Sequence, residues 1–205
     1  MIDLINDDCM NVMKKYDDNH FDLAIVDPPY ELPTRNPYQG CGQLGNRKIQ
    51  DMYKAGWDIA PKKEYFDELF RVSKNQIIWG ANYFGDHLGR TRGIICWDKV
   101  QPWQNFSAWE MAWTSFDTVA RIFKYDNRTG GKIHPTQKPI KLYDWLLHTY
   151  SKKEDLILDT HLGSGSSAIA AHYFGCDFVG IEISEEYYNN AKERFDQETK
   201  QKTLF

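Results

Sequence analysis

Short apolar runs recur through this chain at 2–5, 22–26, 76–79, 93–97, 110–114, 155–159 and 177–181. Each is too short for a helix and is bounded by polar or turn-forming residues, so each reads as a buried strand. Segments of helical periodicity lie between several of them. Residues 62–72 put Tyr65, Phe66, Leu69 and Phe70 on one side, and 138–150 do the same with Leu142, Trp145, Leu146 and Thr149. Residues 184–198 align Tyr187, Tyr188, Ala191 and Phe195 behind Ser184, a sound N-cap, with Glu185 and Glu186 complementing the helix dipole. Strands alternating with helices predict an α/β fold, a mostly parallel twisted sheet covered on both faces. No internal repeat is present. With 205 residues, the chain is expected to form a single domain over 1–205.

Two segments break the alternation. Residues 31–56 carry Gly40, Gly42 and Gly45 with Arg35, Arg47, Lys48 and Lys54, and show no periodicity. A stretch that long between elements is expected to be a mobile functional loop. Residues 98–137 mix Trp103, Trp109 and Trp113 with basic residues and Gly130-Gly131. The tail after Gln197 is polar and expected to fray.

The strand at 22–26 runs into Asp27-Pro28-Pro29-Tyr30. Prolines fix φ and lack N–H donors, so the carbonyls here are held still and remain free to accept. An amino group would meet a carboxylate, a rigid carbonyl and a ring. Alone, the four residues fit an ordinary turn equally well.

A second cluster lies downstream. The strand ending in Asp159 leads through Thr160-His161-Leu162-Gly163-Ser164-Gly165-Ser166 into a helix. Glycines admit a ligand close to the backbone, and a helix start offers free N–H groups. The next strand ends in Glu182, 23 positions after Asp159, where a carboxylate suits ribose hydroxyls. Gly163, Gly165 and Ala168 also satisfy a loose dinucleotide fingerprint, so a nicotinamide enzyme stays open on this segment alone. Asp159 stands where the cationic end of S-adenosylmethionine needs a partner, and the glycine loop comes late, which favours that cofactor.

Bulk properties set bounds. The composition, 41% hydrophobic and 15% aromatic, is that of a folded globular protein. No apolar run reaches the length of a membrane span, and Met1-Ile2-Asp3-Leu4 lacks a basic signal-peptide start. Cys9, Cys41, Cys96 and Cys176 are scattered without a CxxC pair, which fits reduced thiols in a cytoplasm and no structural metal. The net charge of −4 hides a polarity. Residues 118–138 hold Arg121, Lys124, Arg128, Lys132 and Lys138 against Asp126, while 182–198 hold six acids against Lys192 and Arg194. One face could meet phosphate; solvated surface explains each single charge as well.

The three motifs Asp27-Pro28-Pro29-Tyr30, His134-Pro135-Thr136-Gln137-Lys138-Pro139 and the Asp159-to-Glu182 segment occur in an order that resembles the β class of S-adenosylmethionine-dependent DNA amino-methyltransferases. The likeness is to the short adenine-N6 enzymes of bacteria and phages, some of them from restriction-modification systems, and it spans nearly the whole chain. It implies a Rossmann-like methyltransferase fold in circularly permuted motif order, with one antiparallel strand near the C-terminal side of the fold.

It also implies roles. Asp27, Pro28, Pro29 and Tyr30 would be catalytic. Asp8, Asp27, Thr136, Lys138, Asp159, His161, Gly163, Ser164, Gly165 and Glu182 would hold S-adenosylmethionine, leaving as S-adenosylhomocysteine. The partner would be double-stranded DNA, met by Arg35, Arg47, Lys48, Asn82, Arg121 and Arg128, with 98–133 a small target-recognition segment. Asp98 and Lys99 end a strand on the active-site edge, and His134 would anchor a loop. A homodimer is implied by relatives, and neither metal nor membrane is. Thr160 and His161 stand where relatives often have Pro and Phe.

Rival readings remain. Cytosine-N4 enzymes share the geometry and more often carry Ser at the position of Asp27. Amide methyltransferases resemble N-P-P-Y, and an RNA target or a non-catalytic cofactor-dependent DNA-binding module would keep parts of the pattern.

Overall fold

The computed structural model describes residues 1–31, 59–101, 107–126, 133–134 and 136–200. Most of the expected loop 31–56, with Arg35, Arg47 and Lys48, lies outside the described residues, as do Arg128 and part of the 98–133 segment.

The strands are β1 (Ile2–Asn6), β2 (Phe21–Val26), β3 (Ser73–Trp79), β4 (Ile94–Asp98), β5 (Trp109–Thr114), β6 (Arg121–Lys124), β7 (Leu156–Asp159) and β8 (Asp177–Glu182). The helices are α1 (Cys9–Met13), α2 (Lys63–Val72), α3 (Ile140–Tyr150), α4 (Ser166–Phe174) and α5 (Glu185–Lys200). All strands form one sheet in the order β1-β8-β7-β2-β3-β5-β4-β6. Every strand runs the same way except β5, which is antiparallel to β3 and β4. Among the described residues the antiparallel strand therefore sits mid-chain, not near the C-terminal side as expected. The cause is connection length: only residues 99–108 separate β4 from β5, and Lys99 N–H donates to Ala108 C=O at 3.0 Å to close the reversal. A parallel neighbour would need a longer crossover.

Both faces of the sheet are buried, as near-continuous apolar strands require. Leu23 and Ile25 point to one face, packing with Ile77, Trp79 and Trp97 beneath α3 and α4. Ala24 and Val26 point to the other, with Ile78 and Leu158 beneath α1 and α2. On α2 the buried side chains are Tyr65, Phe66, Leu69 and Val72; Phe70 is only partly covered and packs near Trp113. Each fully buried apolar side chain of this kind stabilises by roughly 1.5–3 kcal/mol. On α3 the buried set is Leu142, Tyr143, Leu146 and Leu147, with Trp145 half-buried beside Phe123.

The short β6 and α1 were not expected. Arg-Ile-Phe-Lys on β6 is an edge strand with little buried surface, so it carries no apolar signature. Ser184 does cap α5, its Oγ accepting from Tyr187 N–H at 3.4 Å. Among the described residues, no helix is long and apolar enough to cross a membrane.

Chain direction decides where chemistry gathers. From β7 the chain steps to β8 on one side, and from β2 to β3 on the other, so the crevice between β7 and β2 is a topological switch point. Ligands of open parallel sheets bind at such a crevice, outside the carboxyl ends of the strands.

Candidate active site

The carboxyl ends of β2 and β7 open into a cleft lined by Asp27, Pro28, Pro29, Tyr30, His134, Thr136, Gln137, Lys138, Tyr143, His161, Leu162, Gly163, Ser164, Glu182, Ile183, Ser184 and Tyr187. Four stretches apart in sequence, 27–30, 134–143, 161–164 and 182–187, thus line one cleft. A broader, shallower concavity between β6 and α3, lined by Phe123, Tyr125, Lys141, Asp144, Trp145 and His148, carries no buried charge cluster.

Glu182 ends β8 and is 8% exposed. Its Oε2 accepts from Gly163 N–H at 2.9 Å and its Oε1 from Ser184 N–H at 3.0 Å. The two backbone donors fix the carboxylate and leave each oxygen a further lone-pair direction, which suits a vicinal diol. Burial pushes its carboxyl above the usual range, and the backbone donors oppose that. Opposite, the His134 ring packs edge-on against Tyr187 at 4.5 Å, and burial, helped by Lys138, lowers its pKa to about 4. Thr136 Oγ1 lies 3.2 Å from His134 Nδ1.

Some expected cofactor residues stand behind this wall. Asp159 Oδ1 accepts from His161 N–H at 3.0 Å and Oδ2 from Ser167 Oγ at 2.6 Å, so its oxygens tie the turn together away from the cleft surface. Burial raises its pKa to about 7. Asp8 caps α1, accepting from Met10 N–H at 2.7 Å, and its charge reaches His161. Gly165 begins α4 at φ 73, where an added Cβ would meet Ala191 of α5 at 3.3 Å; its smallness serves helix packing. His161 does line the cleft. Its Nδ1 is 2.9 Å from Thr160 Oγ1, which is 2.6 Å from the buried Tyr65 hydroxyl. Burial pushes its pKa down to about 4, so the ring is neutral at ordinary pH.

The Asp27 end is a buried charge network. The Tyr30 hydroxyl donates to Asp27 Oδ1, and the Lys138 ammonium pairs with Oδ2. The Lys138 side chain is 2% exposed. Its Nζ also pairs with Glu110 Oε2 at 3.1 Å, lies 3.5 Å from the Tyr30 hydroxyl and stands 5.2 Å from the centre of the Trp79 ring. Glu110 Oε1 is held in turn by Lys99. Burial pushes the Asp27 carboxyl up, Lys138 pulls it back and Glu110 pushes it up again, for a net rise. For Glu110, burial is outweighed by the two ammoniums, which hold it well below the usual range. Lys138 is raised: the two carboxylates overcome the burial that opposes its charge.

Tyr30 is braced by the end of β3 and the turn after it. Its ring stacks on Tyr83 at 4.9 Å and meets Phe84 edge-on at 5.9 Å. Gly80, at φ 75, lies so close that an added Cβ would come within 2.8 Å of Tyr30 Cζ.

Of the residues expected to meet DNA, Asn82 sits in an exposed turn after β3 and does not line the cleft. Arg121 opens β6, paired with Ile95, while Lys124 closes it beside Asp98. Arg121 is therefore at the far end of the strand, about 10 Å from the edge that carries the cleft. The basic stretch 118–138 is not one surface, since Lys138 is buried within the site. Sequence reasoning missed Glu110, Tyr83, Tyr143 and Tyr187; a lone acid in the apolar strand Trp-Glu-Met-Ala-Trp-Thr was the available signal for Glu110. Among the described residues no group of His, Cys, Asp or Glu comes together as a metal-ligand set.

The chain is similar to the type II methyltransferase M2.MboI of Moraxella bovis, 27% identical over 93% of this chain and 86% of that protein. It is also similar to M.HpaI of Haemophilus parainfluenzae, 24% identical over 95% of this chain and 74% of that one. In fold it resembles the M1.HpyAVI–SAM complex (TM-score 0.64, 20% identity, 95% of this chain and all of that one). It likewise resembles the cytosine-N4-specific PvuII DNA methyltransferase (TM-score 0.66, 13% identity, 95% and 86%). The DNA methylase family (N6_N4_Mtase) matches residues 45–193, well over half of the chain. With that match over β3 to β8, including the His134-to-Lys138 stretch, the glycine loop and Glu182 of the cleft, the chain belongs to the DNA methylase family.

Proposed function

We propose that this protein methylates the exocyclic N6 amine of adenine in double-stranded DNA. The observation that carries the choice of amine chemistry is the Asp27 carboxylate, buried at the switch-point crevice beside the rigid Pro28 carbonyl and the Tyr30 ring. S-adenosylmethionine is the cofactor of this family, and the cleft fits it. Glu182 has lone pairs to spare for ribose hydroxyls, and the carboxylates of Asp27 and Glu182 line the cleft with the Lys138 ammonium, a charge balance that admits a cationic ligand. When bound, that cofactor supplies an electrophilic methyl group and leaves as neutral S-adenosylhomocysteine.

The chain's own residues do the rest. An adenine amine is a weak nucleophile because its lone pair is delocalised into the ring. Asp27 and the Pro28 carbonyl accept its two N–H groups, which favours a pyramidal nitrogen with its lone pair available. The Tyr30 hydroxyl fixes the carboxylate, and the Tyr30 ring, braced by Tyr83, offers a face to the base. The nitrogen gains a methyl carbon and loses one proton, for which the buried Asp27 carboxylate is the nearest base. The target atom is inside the duplex until the base is turned out, so base flipping is part of the proposal. Pairing of two copies and contacts from Arg35, Arg47, Lys48 and Arg128 to the DNA backbone belong to the same proposal.

Cytosine N4 is the second reading. The likeness in fold to a cytosine-N4-specific enzyme favours it, and Asp27 favours adenine. Unmethylated duplex DNA, methyl-labelled cofactor and nucleoside mass spectrometry decide between them. N6-methyladenine that vanishes with Asp27→Ala, a loss of at least about 1,000-fold in kcat, supports the proposal. N4-methylcytosine would establish the second reading, and no DNA methylation across varied sequences, with the cofactor bound, would sink both.

A further inference from the structure

We propose that Lys138 holds the place of the target amine on Asp27, and that Glu110 is the positioning residue that takes Lys138 over when the amine arrives. The proposal rests on the reading above, that a DNA amine is methylated at Asp27.

Each oxygen of Asp27 already carries a donor in this structure. Tyr30 occupies Oδ1 and Lys138 occupies Oδ2. The Lys138 Nζ is a nitrogen donor lining the same cleft, so it satisfies the carboxylate in the way an incoming amine would. A buried carboxylate without a donor is costly, and a resting site of this kind needs one.

For an amine to take the place of Lys138 at Oδ2, the ammonium has to move off without being left unpaired and buried. Glu110 removes that obstacle. Its Oε2 is already 3.1 Å from Nζ, so Lys138 bridges the two carboxylates and can shift its weight from one to the other. Lys99 holds the second oxygen of Glu110, and the turn behind Lys99 is closed by Asp98 Oδ1 accepting from Val100 N–H at 2.9 Å. The Trp79 ring, 5.2 Å from Nζ, backs the ammonium throughout. Asp27, Lys138, Glu110 and Lys99 carry two charges of each sign, so the exchange leaves the buried network neutral. Tyr143 and His134 flank it, and neither brings a competing charge. The position of Glu110 follows from the reversed direction of β5, which brings the start of that strand to the edge where its neighbours end.

Glu110→Gln leaves Lys138 committed to Asp27 and lowers kcat/KM for unmethylated genomic DNA by about tenfold or more, with cofactor affinity by calorimetry within twofold of the parent. The deciding readout is the double variant. Removing the competing donor as well, in Glu110→Gln/Lys138→Met, restores at least about threefold over Glu110→Gln alone. Lys99→Met, which loosens Glu110 but leaves it charged, shows the same defect in milder form, again relieved by Lys138→Met, and serves if Glu110→Gln does not fold. A double variant no more active than the single one overturns the proposal, as does a Glu110→Gln enzyme with parental kcat/KM. Absence of DNA methylation by the parent enzyme is instead the failure of the functional reading, and it removes this proposal with it.

Discussion

Gly80 sets how closely the end of β3 approaches Tyr30. Its φ of 75 is unfavourable for any side chain, and a Cβ would press on the Tyr30 ring, which cannot retreat because Tyr83 and Phe84 stand behind it. Gly80→Ala should therefore destabilise the fold by roughly 1–3 kcal/mol. Because the ring also fixes Asp27, methyl transfer should fall at least about tenfold while cofactor affinity is retained; chemical denaturation and single-turnover assays check the two parts. At this scale the sequence was uneven. Asp27 and Glu182 stand out because one follows and the other ends an apolar strand, and Tyr30 stands out through the Asp-Pro-Pro-Tyr run taken together with the downstream motifs. Lys99 is marked by its strand end, but Glu110 is not, because its meeting with Lys99 and Lys138 depends on a strand reversal that periodicity cannot express.

The turn from β7 into α4 stores an electrostatic cost. Asp159 is buried, its oxygens are met by one backbone N–H and one hydroxyl, and its pKa is raised to about 7. A carboxyl whose folded pKa exceeds its unfolded value binds its proton more tightly in the folded chain. Its contribution to stability is therefore full below about pH 4 and is lost as pH rises through 7. Asp159→Asn should match the parent near pH 4 and exceed it at pH 8 by roughly 1–4 kcal/mol, measured as unfolding free energy in urea. The elements themselves were largely readable: seven of the strands follow from short apolar runs, and three helices from their periodic faces. The edge strand β6 was not, since four residues with little burial leave no pattern. The direction of β5 was not either, because strand polarity is fixed by connection length and pairing, which the residues of the strand do not encode.

The sheet as a whole divides its labour at the seam between β2 and β7. The β7, β8 side brings the glycine loop and Glu182, and the β2, β3, β5 side brings Asp27, Tyr30 and Glu110. Neither side is a separate folding unit, since β2 takes its partners from both, β3 on one edge and β7 on the other. A fragment ending at residue 150 loses β7, β8, α4 and α5, and should show no cooperative thermal transition by circular dichroism. The outermost pairing has a consequence for how the molecule is made. β1 is bonded along its length to β8, Ile2 beside Phe178 and Asn6 beside Glu182. At about 5–20 residues per second, a ribosome adds the intervening chain in roughly 10–35 s. β1 is thus made well before its neighbour, and until β8 emerges it waits with that edge unpaired, open to other nascent chains.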